Sequence, residues 1–243
     1  MNSEFDANDV SEGGSRILRH GEERPWAAPQ GEDSIEAISN HIEKHLGPVA
    51  TIYHEIVSDT VHLDVHIVEP REDFPFFRLV TSGMSDLPMT VPAGADVPRY
   101  AELIMTLPGA WTHGQDVFED ERWYWPVRLI KTLASLPHKY DTWLGPGHTV
   151  PNGNPAEPYA PDTALCGALI FPSATVPDAF HQLRIDDAKS IMFYSVVPLY
   201  AEEMRYKLKA GADKLLDRFD GAGITDIVDP LRPNVARKRF GLF

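Results

Sequence analysis

Cysteine is almost missing from this chain of 243 residues, because Cys166 is the single one. One thiol cannot form a disulfide within the chain. Cys166 lies in the apolar run LCGALIF, where a free cysteine is usually a small buried hydrophobic side chain. The sequence therefore predicts neither an internal disulfide nor a catalytic cysteine.

Long apolar runs are missing as well. No run approaches the roughly 18 to 20 residues that a membrane-spanning helix needs. The first residues, MNSEFDANDVSEGG, are acidic, whereas a signal peptide begins with basic residues and then becomes apolar. We therefore expect a soluble cytoplasmic protein without a membrane partner.

Basic residues are scarce relative to acidic ones. Lys and Arg number 22 against 36 Asp and Glu, which gives a net charge of −14. Phosphate binding needs concentrated Lys and Arg, so this balance argues against a nucleic-acid partner. The acidic excess favours a cationic protein partner, although an acidic surface also simply keeps a protein in solution.

Common catalytic motifs are absent too, since the sequence has no HExxH, CxxC, GxxxxGK[ST] or GxSxG pattern. One arrangement could still bind a metal, because alternate residues of a strand point to the same face. His62, Asp64 and His66 alternate in this way. His54 lies upstream, and His148 in GPGHT could join from a loop.

A half-exposed strand commonly carries such residues on its solvent face without any ligand. We therefore expect no metal site, no cofactor and no enzymatic activity. The alternative is a metal-assisted hydrolase that uses the strand of His62, Asp64 and His66 together with the His148 loop.

Hydrophobic residues make up 43% of the chain, with five Trp, which allows a sizeable core. Apolar residues recur at helical spacing from Ile35 to Leu46, and Gly47-Pro48 ends this first predicted helix. Four strands in series are predicted by ATIYHEIV, VHLDVHIVEP, FFRLVTS and YAELIMTLP. Two further buried strands are predicted by LCGALIF and SIMFYSVV, and three further helices by WPVRLIKTLASLPHKY, LYAEEMRYKLKAG and ADKLLDRFDGAG.

These elements predict a single α+β domain with a mostly antiparallel or mixed sheet flanked by helices. Composition sets its boundaries. Residues 1–32 mix Gly, Pro, Ser and acids without a period, so we expect a disordered acidic tail. The domain is expected over residues 33–223, and residues 224–243 are expected to form a basic C-terminal tail.

The stretch VTSGMSDLPM stands out as a strand that ends in a tight polar turn. Gly83 can adopt a positive φ without a Cβ clash, and Ser82, Ser85 and Asp86 can hydrogen-bond to their own backbone. One hypothesis is a rigid loop that presents Met84 and Asp86 to a partner. The alternative is an ordinary turn with a buried methionine.

Several motifs in order and spacing resemble the suppressor of fused family, in particular its shorter bacterial branch. They are SGMSDLPM, AELIMTLP, YWPVRLIKTLASLPHKYDTWLGPGHT and FYSVVPLYAEEMRYKLKAGADKLLDRF, and the resemblance covers about Ile38 to Phe219. In the animal protein the similar domain is the N-terminal half of a cytoplasmic repressor that binds a transcription factor. The resemblance thus implies a binding scaffold without known catalysis.

Bacterial single-domain relatives are thought to act as immunity proteins that neutralise partner toxins, and the resemblance implies this role here. It also marks motif residues that core packing explains least, which are our candidates for contacting a partner or shaping loops. They are Ser82, Gly83, Met84, Ser85, Asp86, Glu102, His148, Tyr200 and Glu202.

Overall fold

The structure is a computed structural model, and it describes residues 9–19, 23, 34–54, 61–114 and 119–237. Within these residues the chain forms four α-helices and eight β-strands. The helices are α1 (Ile35–His45), α2 (Glu121–Lys139), α3 (Ala201–Ala210) and α4 (Ala212–Ala222). The strands are β1 (Val49–Tyr53), β2 (Asp64–Val68), β3 (Phe76–Ser82), β4 (Tyr100–Pro108), β5 (Thr149–Pro151), β6 (Leu165–Phe171), β7 (Gln182–Arg184) and β8 (Ser190–Tyr200).

All eight strands join one mixed sheet in the order β1-β2-β3-β4-β8-β6-β5, and β7 also pairs with β8. The first four strands form an antiparallel series, as the sequence predicts. β4 and β8 run parallel, and every other pair is antiparallel. The α+β fold class and the mixed sheet flanked by helices are therefore confirmed.

Helices cover both faces of the sheet because neighbouring strand residues point to opposite sides. In β4, Leu103 and Met105 pack in the cluster that contains α2, while Ile104 packs with α1. In β8, Leu199 lies on the same side as Ile104 and packs against α3 and α4. The sheet is thus the middle of three layers, with α2 on one face and the other helices on the opposite face.

The solvent face that we expected for β2 is instead buried. Asp64 is 2% exposed and His66 is fully buried. The cause is α1, which lies over this side of the strand and places the Ser39 hydroxyl 3.3 Å from His66 Nδ1. Only His62, just before the strand, is exposed as the alternation predicts.

The folded unit extends beyond the end at residue 223 that composition suggests. Asp226, Val228 and Arg232 are buried, and the Val228 amide donates to the Thr106 carbonyl. Part of the N-terminal segment is also structured, since the Gly13 amide donates to the Leu208 carbonyl of α3. The remainder of the predicted acidic tail, and residues 238–243 of the basic one, lie outside the described residues.

Among the described residues, no helix is both long enough and apolar enough to span a membrane.

Candidate functional site

The turn after β3 has the conformation that the sequence predicts, but most of its side chains are buried. Gly83 has a φ of 105°, and a Cβ at this position would lie 1.8 Å from the His62 carbonyl oxygen. Ser82 is 1% exposed, while Met84 and Ser85 are fully buried. The hypothesis that this turn presents Met84 to a partner is therefore wrong, because the side chain points into the core.

Glu102 supports the turn from beneath. Its carboxylate accepts hydrogen bonds from the Ser85 amide at 2.9 Å, from the Ser85 hydroxyl at 2.6 Å and from the Thr81 hydroxyl at 2.6 Å. Burial raises the pKa of Glu102 to about 7, against the lowering effect of these donors. Glu102 is fully buried, so it cannot belong to the acidic surface on which we expected a partner.

The other candidate residues do not converge on one site. Asp86 is half-buried and accepts a hydrogen bond from the Ser34 amide at the start of α1. His148 stacks edge-on against Trp143, and burial together with the Lys207 charge lowers its pKa to about 4. Tyr200 and Glu202 lie at the start of α3, where each hydrogen-bonds a residue of the C-terminal segment.

The residues of the alternative hydrolase are also separated. Both ring nitrogens of His66 have partners, since Nε2 lies 2.9 Å from the Ser82 hydroxyl and Nδ1 faces Ser39. His148 precedes β5, which lies five strand positions from β2 in the sheet. At about 4.8 Å per strand this places the two regions roughly 24 Å apart. They cannot form the joint active site of the alternative hypothesis.

An open cleft on the α2 face is the most distinctive surface feature of the described residues. It is a shallow depression, since the roughly 360 Å³ of space above its lining includes open solvent, and the lining is almost entirely apolar. The lining consists of Tyr53, Ile67, Phe77, Leu79, Leu107, Trp111, Thr112, His113, Gly114, Trp123, Tyr124 and Val127. We call it the aromatic cleft. Its floor is formed by β1 to β4, and its walls by the 111–114 loop and the first turns of α2.

Hydrogen bonds and ring contacts fix the walls of the aromatic cleft. The Trp111 indole donates to the Trp123 carbonyl at 3.0 Å, and the two rings meet edge-on with centroids 5.5 Å apart. The Gly114 amide donates to the Tyr53 hydroxyl at 3.1 Å. The loop is thus tied to α2 at one end and to β1 at the other.

The chemistry of the aromatic cleft is that of binding. His113 is the one imidazole in its lining, and its nearest ionic neighbour is Glu69 at 3.6 Å. Burial raises the pKa of Tyr53 above its ordinary value. Trp and Tyr, which supply much of the lining, are among the side chains that most often dominate binding energy at protein interfaces.

The sequence contains a partial signal for the aromatic cleft. Trp111 lies near the start of the connection between β4 and α2, and Trp123, Tyr124 and Trp125 follow it, so aromatic residues flank this connection on both sides. Trp111 itself is buried, with 8% of its surface exposed. Sequence periodicity does not reveal, however, that the half-buried Trp123 and Tyr124 line one depression with Tyr53. Tyr53 is distant from both of them in the sequence.

Comparison with known proteins defines the class to which this fold belongs. The profile of the family described as Suppressor of fused protein (SUFU) matches residues 59–233. The chain belongs to the suppressor of fused family. This confirms the resemblance found in the motifs, and the match extends past Phe219 to include the buried C-terminal segment.

Solved structures show the same fold at low sequence identity. A protein from Neisseria gonorrhoeae described as a SUFU homologue superposes with a TM-score of 0.61 at 16% identity, over 84% of this chain and 97% of that one. A chain of the Sufu-Fu complex superposes with a TM-score of 0.57 at 11% identity, over 85% of this chain and 93% of that one. Drosophila Suppressor of Fused superposes with a TM-score of 0.58 at 12% identity, over 86% of this chain and 52% of that one. No curated protein sequence matches this chain.

Proposed function

We propose that this protein is a non-enzymatic binding domain that holds an apolar side chain of a protein partner in the aromatic cleft. The observation that carries the proposal is the cleft itself, an apolar depression with aromatic walls. Concave apolar surfaces lined by aromatic side chains are typical binding sites, and burial of a partner side chain there favours association.

Membership of the suppressor of fused family supports a protein as the ligand. One structure with this fold is a complex of Sufu with Fu, in which a related domain is bound to another protein. The net charge of −14 favours a partner with a basic surface, because opposite charges speed association and disfavour acidic competitors. Glu69, exposed beside His113 at the cleft, is a local acidic group for such a partner.

The finer role that we propose is that of a cytoplasmic immunity protein, which neutralises a toxin by binding it. The motif resemblance to short bacterial family members supports this role, and the acidic composition suits a basic toxin. The proposed contact surface is the aromatic cleft and its rim, which replaces the buried turn around Met84.

The role is tested by co-expressing the protein with a toxin encoded beside its gene and measuring cell survival. The parent is expected to restore survival, and Tyr124→Ala or Trp123→Ala to reduce it, because each change removes a wall of the cleft. Tyr206→Ala is the matched control. Tyr206 is also a half-buried helical aromatic, but it lies on α3 beneath Arg218.

The survival test contradicts the proposal if the cleft variants are folded, accumulate to the level of the parent and still protect fully. Expression and melting temperature are therefore measured for every variant. If the parent protein gives no protection against the product of the neighbouring gene, the immunity role is wrong. Protein binding through the cleft is tested separately, by measuring the affinities of the parent and of the cleft variants for a protein partner.

A further inference from the structure

Two histidines and an aspartate meet on the sheet face opposite the aromatic cleft. The β1–β2 register pairs Tyr53 with Val65, so the next position brings His54 across from Asp64. His54 Nδ1 lies 3.0 Å from Asp64 Oδ1, and His62 Nε2 lies 3.2 Å from the same oxygen. The ligand atoms of the three side chains all lie within 4.8 Å of one another.

We propose that His54, His62 and Asp64 form a binding site for Zn²⁺ or a similar divalent transition metal. Two imidazole nitrogens and one carboxylate oxygen are a common ligand set for zinc. Ligand atoms of a tetrahedral zinc site with bonds of about 2.0–2.2 Å are separated by about 3.3 Å. The two observed separations from Asp64 Oδ1 are close to this value, and the histidine nitrogens lie within 4.8 Å of each other.

The proposed site is rigid on one side and adjustable on the other. Asp64 is 3% exposed in its side chain and belongs to β2, an interior strand that also pairs with β3. The side chains of His54 and His62 are 62% and 50% exposed, so they can turn their nitrogens toward an ion that enters from solvent. A fixed carboxylate and two mobile imidazoles allow capture without unfolding any strand.

Ligand chemistry also determines which ions are excluded. Mg²⁺ and Ca²⁺ prefer oxygen ligands and high coordination numbers, whereas this cluster offers two nitrogens and one carboxylate. Three protein ligands leave a fourth position of the zinc for water. The inference is independent of the proposed function, because Tyr53 lines the cleft while the adjacent His54 faces the opposite side of the sheet.

The structure separates the histidines that the sequence pattern grouped. The alternation placed His62, Asp64 and His66 on one strand with His54 upstream, but His66 is in contact with Ser39 and Ser82. Pairing between the strands brings His54, rather than His66, to His62 and Asp64. Nothing in the sequence spacing of His54 and Asp64 reveals this contact.

The test is a zinc titration of the full chain, purified without a histidine tag and stripped with a chelator. A chromophoric chelator competes for the metal and reports the dissociation constant. We expect one equivalent of Zn²⁺ to bind with micromolar or tighter affinity and to raise the melting temperature. His54→Gln and His62→Gln are each expected to weaken binding at least 10-fold, whereas millimolar Mg²⁺ should not compete.

His45→Gln is the control, because His45 is a half-buried histidine of α1 outside the cluster. It is expected to bind zinc like the parent. Asp64 is left unchanged, since replacement of a buried carboxylate could alter the fold. Parent-like zinc affinity in both cluster variants would overturn the proposal, as would the absence of stoichiometric binding by the parent.

Discussion

Arg232 and Glu203 form a bidentate ion pair inside the protein, with Nη1–Oε1 and Nη2–Oε2 distances of 2.7 and 2.5 Å. Their side chains are 5% and 0% exposed. Glu203 also accepts hydrogen bonds from the Tyr200 and Val235 amides, and Arg232 donates a hydrogen bond to the Pro198 carbonyl. The pair therefore joins α3, β8 and the C-terminal segment, which explains why the fold continues past residue 223.

Removing one member of this pair is expected to be strongly destabilising. Arg232→Met leaves the Glu203 carboxylate buried without its counter-charge, and we expect a loss of about 3–5 kcal/mol in the free energy of unfolding. Urea denaturation measures the change. Lys214→Ala is the control, because it removes the exposed Lys214–Asp217 pair and should cost less than about 1 kcal/mol. Equal small losses in both variants would show that the buried pair does not hold the C-terminal segment in place.

The turn at Gly83 gives a second stability prediction. Gly83→Ala combines a positive φ with a contact of 1.8 Å between the new Cβ and the His62 carbonyl oxygen. We expect a loss of about 3 kcal/mol, at the upper end of the range for backbone strain. Gly94→Ala is the control, since Gly94 has a φ of 75° but no atom within 4 Å of the added Cβ. It should cost about 1 kcal/mol. The stability of both variants is measured by thermal or urea unfolding. Equal losses in the two variants would contradict the close approach of Gly83 to the His62 carbonyl.

Glu102 predicts a pH dependence of stability with a definite sign. Its pKa is about 7 in the folded protein, against an ordinary value of 4.5, so the folded state keeps a proton that the unfolded state releases. This contribution to stability is fully present below pH 4.5 and is lost as the pH rises to about 7. The loss amounts to about 3 kcal/mol.

The Glu102 contribution is isolated by comparison with Glu102→Gln. The amide does not titrate, while all other groups contribute similarly to both proteins. We therefore expect the stability of the variant relative to the parent to rise between pH 4.5 and 7 and to stay constant above pH 8. A difference independent of pH across this range would show that Glu102 titrates normally.

The sequence predicted the parts of the fold that local patterns encode. Apolar spacing placed α1 correctly, and alternating or continuous apolar runs predicted the first four strands and β6 and β8. The positive φ of Gly83 followed from turn chemistry. Burial did not follow, because serine and glutamate are common on surfaces. Here Ser85 and Glu102 are buried with a hydrogen bond between them, and Ser82 is buried against the His66 ring.

Contacts between distant segments were the part that sequence patterns could not supply. The parallel pairing of β4 with β8 joins residues that lie 191 − 100 = 91 positions apart, with Tyr100 opposite Ile191. The aromatic cleft combines Tyr53 with Trp123, and the histidine cluster combines His54 with Asp64. Each of these depends on which strands become neighbours, which is decided by packing of the whole sheet.

The proposed basic partner implies a salt dependence of association. The electrostatic screening length shortens from about 10 Å at 0.1 M salt to about 3 Å at 1 M salt. The attraction that a net charge of −14 exerts on a basic partner should therefore weaken over this range. We expect the association rate of the partner to fall with added salt and its dissociation rate to change less, because packing in the cleft governs dissociation. Stopped-flow or surface-based kinetics measure both rates. An association rate independent of salt would rule out the cationic partner.

The affinity of the cleft variants for the proposed partner toxin tests the central claim most directly. Calorimetric titration compares the parent with Tyr124→Ala, Trp123→Ala and the Tyr206→Ala control. Our account predicts at least 10-fold weaker binding for the two cleft variants, since truncation of an anchoring aromatic side chain typically costs about 2 kcal/mol or more and 10-fold corresponds to about 1.4 kcal/mol. It predicts parent-like affinity for the control. Parent-like affinity of folded Tyr124→Ala and Trp123→Ala would contradict binding through the aromatic cleft.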